Sequence, residues 1–342
     1  MKKPNLFKHA TSELSQDAFI CWLLEWAKAE HKNKNGELHA CGVDLIKAFF
    51  NKHSLPIPER FESVEIEKQY KNIDVFCIVN ETIPIIIEDK TNTAVHSDQL
   101  KNYYKKICRL ERFDERNIIP IYFKTHDQSN YDKVREDGYQ EFTRKDILKL
   151  LDKYDKTGSD IYDNFRSNLH CLEESVQSYK FSPNEKDWSE KAWTGFFMEL
   201  QKSLGQGNWR KVSNRRGGFM GFWWHFDRTN GIQNYLQLED NILVFKVHTD
   251  NPEKMKSIRK CWHSIIQNLS REMCLPVTKP TRFGSGKSIT VAVLKSDYRK
   301  FNEDLLDLDA TLSTLKQAQR LLDKARSEYK SANLYSTEAV AS

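Results

Sequence analysis

The chain has 342 residues, 39% of them apolar and 30% charged, which is too apolar for a disordered polypeptide and long enough for two domains with separate cores. Its net charge of +5 is unevenly spread: residues 201–300 hold 18 Lys or Arg against 7 Asp or Glu, so that segment carries +11 and the rest of the chain sums to −6. No apolar run approaches the roughly 20 residues that span a bilayer, and the opening nine residues are basic with no apolar stretch or cleavage site behind them, so the expectation is a cytoplasmic protein without membrane helix or signal peptide.

Residues 15–29 are apolar around most of a helical circumference and predict a buried helix. A loop rich in Lys, Asn and Gly separates it from a second helix over 43–52, which Leu55-Pro56-Ile57-Pro58 stops. Three strands follow, over 64–70, 73–79 and 83–88, the last two joined by Asn80-Glu81-Thr82 in hairpin fashion. A helix over 97–110 gathers Leu100, Tyr103, Tyr104 and Ile107 on one face, and 118–123 make an apolar strand. A short edge strand over 139–142 and helices over 146–154 and 160–178 close a first domain, residues 1–178, with α-β-β-β-α-β order.

A second unit over 179–335 opens at Ser182-Pro183-Asn184-Glu185, which combines an N-cap serine, a proline at the first helical position and a glutamate three residues past the cap. Its first helix carries Trp188, Ala192, Trp193, Phe196, Phe197 and Leu200 as a core face. A glycine-rich stretch over 205–221 leads to strands over 222–227, 235–238 and 242–248. A helix over 252–271, a basic loop, a strand over 289–294 and a long amphipathic helix over 308–332 complete a basic α+β domain, and 336–342 read as a flexible tail.

Chemistry concentrates in the first domain. Phosphodiester hydrolysis without a covalent intermediate needs a bound metal against the phosphate charge and a group that positions the attacking water. Asp74 at the start of the second strand and Glu88 at the end of the third meet at one sheet edge across the hairpin. Strand alternation puts Glu88 and Lys90 on one face and leaves the carbonyl of Asp89 free to reach a metal, with Lys90 beside the water. Magnesium suits such an oxygen set because it keeps several waters.

Ile73-Asp74, thirteen intervening residues and Glu88-Asp89-Lys90, inside this element order, resemble the PD-(D/E)XK nuclease superfamily with its restriction-endonuclease-like α/β fold. Ile73 stands where that pattern has proline. Gln99-Leu100-Lys101-Asn102-Tyr103 resembles the Q-x-x-x-Y signature of RecB-like and lambda-exonuclease-like branches. The resemblance covers about residues 5–155 and implies Mg²⁺ or Mn²⁺ held by Asp74, Glu88 and the Asp89 carbonyl. It also implies Lys90 orienting water, 5′-phosphate products, Gln99 near the catalytic centre and Tyr103 against the nucleic-acid backbone. Thr11 to Asp17 resembles the opening of an uncharacterised branch, which makes Glu13, with Asp17 second, the acid that supports the metal from the first helix.

The pattern Glu-x-Lys also occurs at Glu30–Lys32 and Glu328–Lys330, but without a preceding strand or an aspartate at hairpin distance. Gly284 to Ser288 fails as a phosphate loop, because Thr281 stands where its first glycine belongs and a strand rather than a helix follows. His31, His39 and Cys41 lack a fourth zinc ligand, the seven single cysteines read as reduced thiols, and no histidine suggests a triad. Arg210, Lys211, Arg215 and Arg216 among aromatic residues, with Lys279, Arg282 and Lys287, are the expected contacts to nucleic acid, DNA above RNA. The alternatives are a catalytically inactive nucleic-acid-binding or adaptor subunit of a defence or repair assembly, and a subunit that meets an acidic protein partner or a second copy of itself.

Overall fold

The computed structural model describes residues 4–91, 98–110, 112–182, 188–214, 217–251, 253–281 and 286–338, with side chains to residue 331. The chain divides into two compact units, Met1–Glu174 and Ser175–Ser342, so the boundary falls inside the helix Asp160–Gln177 rather than after it.

In the first unit α1 (Glu13–Glu25) and α2 (Gly36–Lys52) precede a five-stranded sheet of β1 (Val64–Lys68), β2 (Val75–Val79), β3 (Ile83–Lys90), β4 (Ile119–Lys124) and β5 (Gln140–Thr143), which lie in that order. Helix α3 (Gln99–Cys108) connects β3 to β4, α4 (Asp132–Glu136) precedes β5, and α5 (Arg144–Leu151) and α6 (Asp160–Gln177) follow. The pairs β1–β2 and β2–β3 are antiparallel, while β3–β4 and β4–β5 are parallel. The β2–β3 turn puts Asn80 and Glu81 at φ +49° and +61°, the left-handed pair that a tight hairpin needs. Helix α2 starts seven residues before the expected position because the Asn35 side chain accepts from the Leu38 N–H at 3.0 Å and caps it. His39 and Cys41 therefore lie on a helix rather than in a loop.

Alternation along the strands divides the core in two. Val75, Cys77, Val79, Ile85 and Ile87 pack with Leu23 of α1, Leu45 of α2, Leu148 of α5 and Leu169 of α6. Phe76, Ile78 and Ile86 pack on the other face with Leu100 and Ile107 of α3. Cover on both faces explains why β2 and β3 read as unbroken apolar runs.

The second unit contains α7 (Glu190–Leu204), β6 (Asn208–Val212), β7 (Phe219–Thr229), β8 (Ile232–Glu239), β9 (Ile242–His248), α8 (Met255–Glu272), β10 (Val277–Thr278), β11 (Ser288–Leu294), a hairpin of β12 (Lys300–Asn302) and β13 (Leu305–Asp307), and α9 (Leu308–Glu338). Six strands form an antiparallel sheet in the order β10-β11-β9-β8-β7-β6. Phe196 and Phe197 of α7, Trp262 of α8 and Leu322 of α9 share one core with Phe222, Trp224, Leu236, Leu238 and Phe245.

Several expectations need correction here. Pro183 to Glu185 lie outside the described residues, and the helix begins at Glu190, where Ser189 Oγ accepts from the Ala192 N–H at 3.2 Å. Trp188 is buried just ahead of that helix rather than on it. Strand β6 occupies part of the glycine-rich stretch, its Trp209 buried between exposed neighbours. Helix α9 continues to Glu338, into the expected tail, because nothing in its sequence stops it. No described helix is long and apolar enough to cross a membrane.

Candidate active site

The site lies at the C-terminal end of β3. Even-numbered residues of this strand face α3, so Glu88 and Lys90 point to that side, while the carboxylate of Asp89 points toward α1. Asp74 precedes β2 by one residue, and its Oδ2 accepts the Asp89 N–H at 2.9 Å, which ties the two sides of the hairpin together.

Lys90 Nζ stands where the oxygens converge. It lies 2.7 Å from Glu88 Oε1, 3.0 Å from the Asp89 carbonyl oxygen, 3.8 Å from Asp74 Oδ2 and 3.7 Å from Glu13 Oε2. Burial alone would lower the lysine pKa, but the hydrogen bond and charge of Glu88, with Asp74 and Glu13, outweigh it and raise it. Glu88 is 1% exposed, and its Oε2 receives no hydrogen bond among the described residues. Burial, and then the charge of Asp74, push its pKa up to about 8 against the pull of Lys90. The two shifts oppose each other across one bond: the lysine holds its charge, and the glutamate holds a proton well into neutral pH.

Gln99, the first residue of α3, donates from Nε2 to Glu88 Oε1 at 2.7 Å and to the Tyr103 hydroxyl at 3.1 Å. One helical turn separates them, so a single face of α3 carries both, Gln99 on Glu88 and Tyr103 on Gln99. Glu13 reaches the site from α1, its Oε1 accepting the Thr91 N–H at 3.1 Å. The structure thus brings Asp74, Glu88, Lys90, Gln99, Tyr103 and Glu13 together.

Behind β3 lies a second set that the sequence reading used only in part. Asp17 of α1 and Asp89 are buried side by side, and Gln16 donates to Asp89 Oδ1 while its own Oε1 accepts from Thr125 Oγ1 at 2.7 Å. Burial and the charge of Asp74 raise the pKa of Asp17 to about 6, and burial with the charge of Asp17 raises that of Asp89 well above the ordinary value. Asp17 therefore supports Asp89 from behind instead of reaching Lys90. Lys124 was missed altogether. It is the β4 register partner of Lys90, is 2% exposed, and donates to the Thr91 carbonyl at 2.8 Å. Burial lowers its pKa to about 8. A lysine closing an apolar strand, in parallel register with the first, was the available signal.

Among the described residues no three His, Cys, Asp or Glu side chains form a ready metal cage. Magnesium does not require one, since it is typically bound through one or two carboxylates and retained waters. The donor set here is entirely hard oxygen, and the ammonium of Lys90 marks a position already built for positive charge. The residues present fit such an ion.

Among the described residues of the second unit, the expected contacts Arg210 and Lys211 lie on opposite faces of β6. Arg210 is exposed, with its guanidinium 5.6 Å from the Trp223 ring centre. Lys211 turns the other way and pairs with Glu190 of α7. Lys279 and Lys287 are exposed, Lys287 standing 3.6 Å from Asp250. Arg215, Arg216 and Arg282 lie outside the described residues.

A mixed sheet with an α-β-β-β-α-β order and two carboxylates and a lysine at one edge defines the restriction-endonuclease-like class of α/β proteins. A family model described as the PD-(D/E)XK nuclease superfamily matches residues 4–180, more than half of the chain, and the chain belongs to that superfamily, whose nucleases generally use divalent metal ions. Neither a curated protein nor a solved structure gives a match.

Proposed function

We propose that the first unit is a Mg²⁺-dependent nuclease, with Mn²⁺ as substitute, that hydrolyses phosphodiester bonds in DNA to leave 5′-phosphate ends, and that the second unit holds the nucleic acid. The observation that supports this reading best is the convergence of Glu88, Asp74, Glu13 and the Asp89 carbonyl on the cationic position of Lys90. Asp74, Glu88 and the Asp89 carbonyl would hold the ion, which when bound supplies charge against the phosphate and makes its water more acidic. Lys90 orients the attacking water and donates to a phosphate oxygen. Gln99 keeps Glu88 turned toward the site, Tyr103 supports Gln99 and offers its hydroxyl to the backbone, and Glu13 steadies the peptide of Thr91. Arg210, Lys279 and Lys287 contact phosphates in this reading, while Lys211 is already engaged by Glu190.

The test is to incubate the purified chain with supercoiled, linear and single-stranded DNA and with RNA, in Mg²⁺, Mn²⁺ or EDTA, beside Lys90→Ala. Cleavage with either metal, lost in EDTA and in the variant, is expected. Cleavage that survives both would place the chemistry elsewhere. Products that a kinase labels only after phosphatase treatment carry the 5′-phosphate. Binding without cleavage in every condition would favour the non-catalytic adaptor.

A further inference from the structure

The helices α7, α8 and α9 share their core with one side of the six-stranded sheet, through Phe222, Trp224, Leu236, Leu238 and Phe245. The opposite parity presents Arg210, Trp223, Tyr235, Gln237 and Lys246, none of which belongs to that core. Trp223 and Gln237 bond to each other across the strands. The Trp223 indole covers Gly221, where an added Cβ would come within 2.7 Å of the ring. Trp223 Nε1 donates to Gln237 Oε1 at 2.8 Å, and Lys246 Nζ donates to Thr290 Oγ1 at 3.3 Å.

One backbone irregularity shapes this face. Between Trp224 and Asp227 the β7–β8 register slips by one residue, and His225 takes φ +57°, a left-handed conformation costly for a non-glycine residue. The strain is held from the helix side. Arg326 of α9, 7% exposed, donates to the His225 carbonyl at 2.6 Å, to Asn234 Oδ1 at 2.5 Å and to Asp323 Oδ1 at 2.6 Å, and His225 Nε2 lies 2.8 Å from the same Asp323 oxygen. Regular alternation from Phe222 and Trp224 would turn Phe226 into the core. The bulge turns it out instead, where it is 50% exposed and stacks on Tyr235 with ring centres 4.8 Å apart. Folding alone gives no reason to brace a strained residue so that a phenylalanine stands in water.

We infer that this sheet face is a stacking platform for the unpaired bases of single-stranded nucleic acid, an inference that rests on the nuclease reading above and names the form of substrate the second unit takes. Phe226 and Trp223 offer two aromatic surfaces at neighbouring positions, over Tyr235 and beside Gln237, which are two residues or about 7 Å apart along β8. Bases splayed from a single strand stack on such surfaces whatever their sequence. Arg210 beside Trp223 supplies exposed charge for the backbone, within the segment that carries +11, while Lys246 beside Tyr235 is mostly buried and lies 3.8 Å from Glu239. A duplex keeps its base faces covered and gains only the charge.

The test measures fluorescence anisotropy of a labelled oligothymidylate of about 15 nucleotides, and of a duplex of equal length, with the full chain in EDTA. Phe226→Ala should weaken single-strand binding at least about fivefold, Phe226→Trp should retain it, and duplex binding should hardly change. Phe226 is exposed, so its replacement leaves the core intact, and a melting curve checks this. Unchanged single-strand affinity in Phe226→Ala, or an equal loss on the duplex, would overturn the platform. Lys90→Ala, run in parallel for cleavage in Mg²⁺, tests the nuclease reading on its own. Loss of cleavage and loss of stacking are thereby read separately.

Discussion

The two sheets of this protein solve opposite problems. The mixed sheet of the first unit is covered on both faces, and its polar residues gather at the end of β3, where burial changes what they can do. The antiparallel sheet of the second unit keeps one face clear of its helix core and lines it with aromatic and amide side chains that satisfy one another. Burial raises the pKa of Glu88, whereas on the second sheet a backbone bulge decides that Phe226 faces outward. In the proposed reading, chemistry belongs to the first arrangement and recognition to the second.

The largest expected effect separates them. Asp74→Asn should lower the cleavage rate by about a thousandfold or more, because it removes one of two strand carboxylates from the proposed metal position. Oligonucleotide affinity in EDTA should stay within about twofold of the parent. A parallel fall in both would mean that the two sheets do not divide the work.

Stability against pH sharpens the same contrast. In metal-free protein Glu88 has its pKa raised to about 8 and Asp17 to about 6, both above the ordinary carboxylate values that the unfolded chain keeps. The folded state therefore binds more protons than the unfolded one, and stability should fall as pH rises from about 4 to about 8. Urea unfolding in EDTA at pH 5 and pH 8.5 should show Glu88→Gln losing less stability over this range than the parent, by roughly a few kcal/mol. Glu239→Gln on the open sheet should change stability by about 1 kcal/mol or less at either pH. A parent chain as stable at pH 8.5 as at pH 5 would contradict the burial argument.

How much of this could be read from sequence follows from the same difference. The hairpin site was legible because Asp74, Glu88 and Lys90 lie within seventeen residues and the strand period alone sets their faces. Gln99 and Tyr103 were legible because helical spacing aligns them. Lys124 was not, because its place beside Lys90 depends on a parallel pairing made after a crossover helix. Glu13 and Asp17 share a helix face and sequence placed Glu13 first; the packing of α1 on the sheet sets Glu13 3.7 Å from Lys90 and Asp17 against Asp89. In the second unit alternation indicated that one tryptophan faces outward, which is Trp223. It could not reveal Phe226, since a bulge reverses the alternation at that point.

A smaller effect tests how far the site depends on α3. Gln99→Ala removes a donor from buried Glu88, a bond worth about tenfold in rate or somewhat more where a bound metal would hold Glu88 as the carboxylate. The loss should fall on kcat rather than KM, and Tyr103→Phe, which keeps the ring and removes only the hydroxyl that Gln99 contacts, should cost less. Equal losses in KM would move Gln99 from positioning Glu88 to binding substrate.

The smallest effect concerns the basic rim of the second sheet. Lys287 is well exposed and stands 3.6 Å from Asp250, a surface pair that contributes little to folding. Its replacement by alanine should leave the melting temperature unchanged and weaken oligonucleotide binding only slightly at moderate salt. The informative quantity is the salt dependence. One phosphate contact fewer lowers the slope of log affinity against log salt by about 0.7 for a single strand, whereas Phe226→Ala should lower affinity and leave that slope alone. If Lys287→Ala leaves the slope unchanged, Lys287 touches no phosphate, and backbone contact on this sheet falls to Arg210.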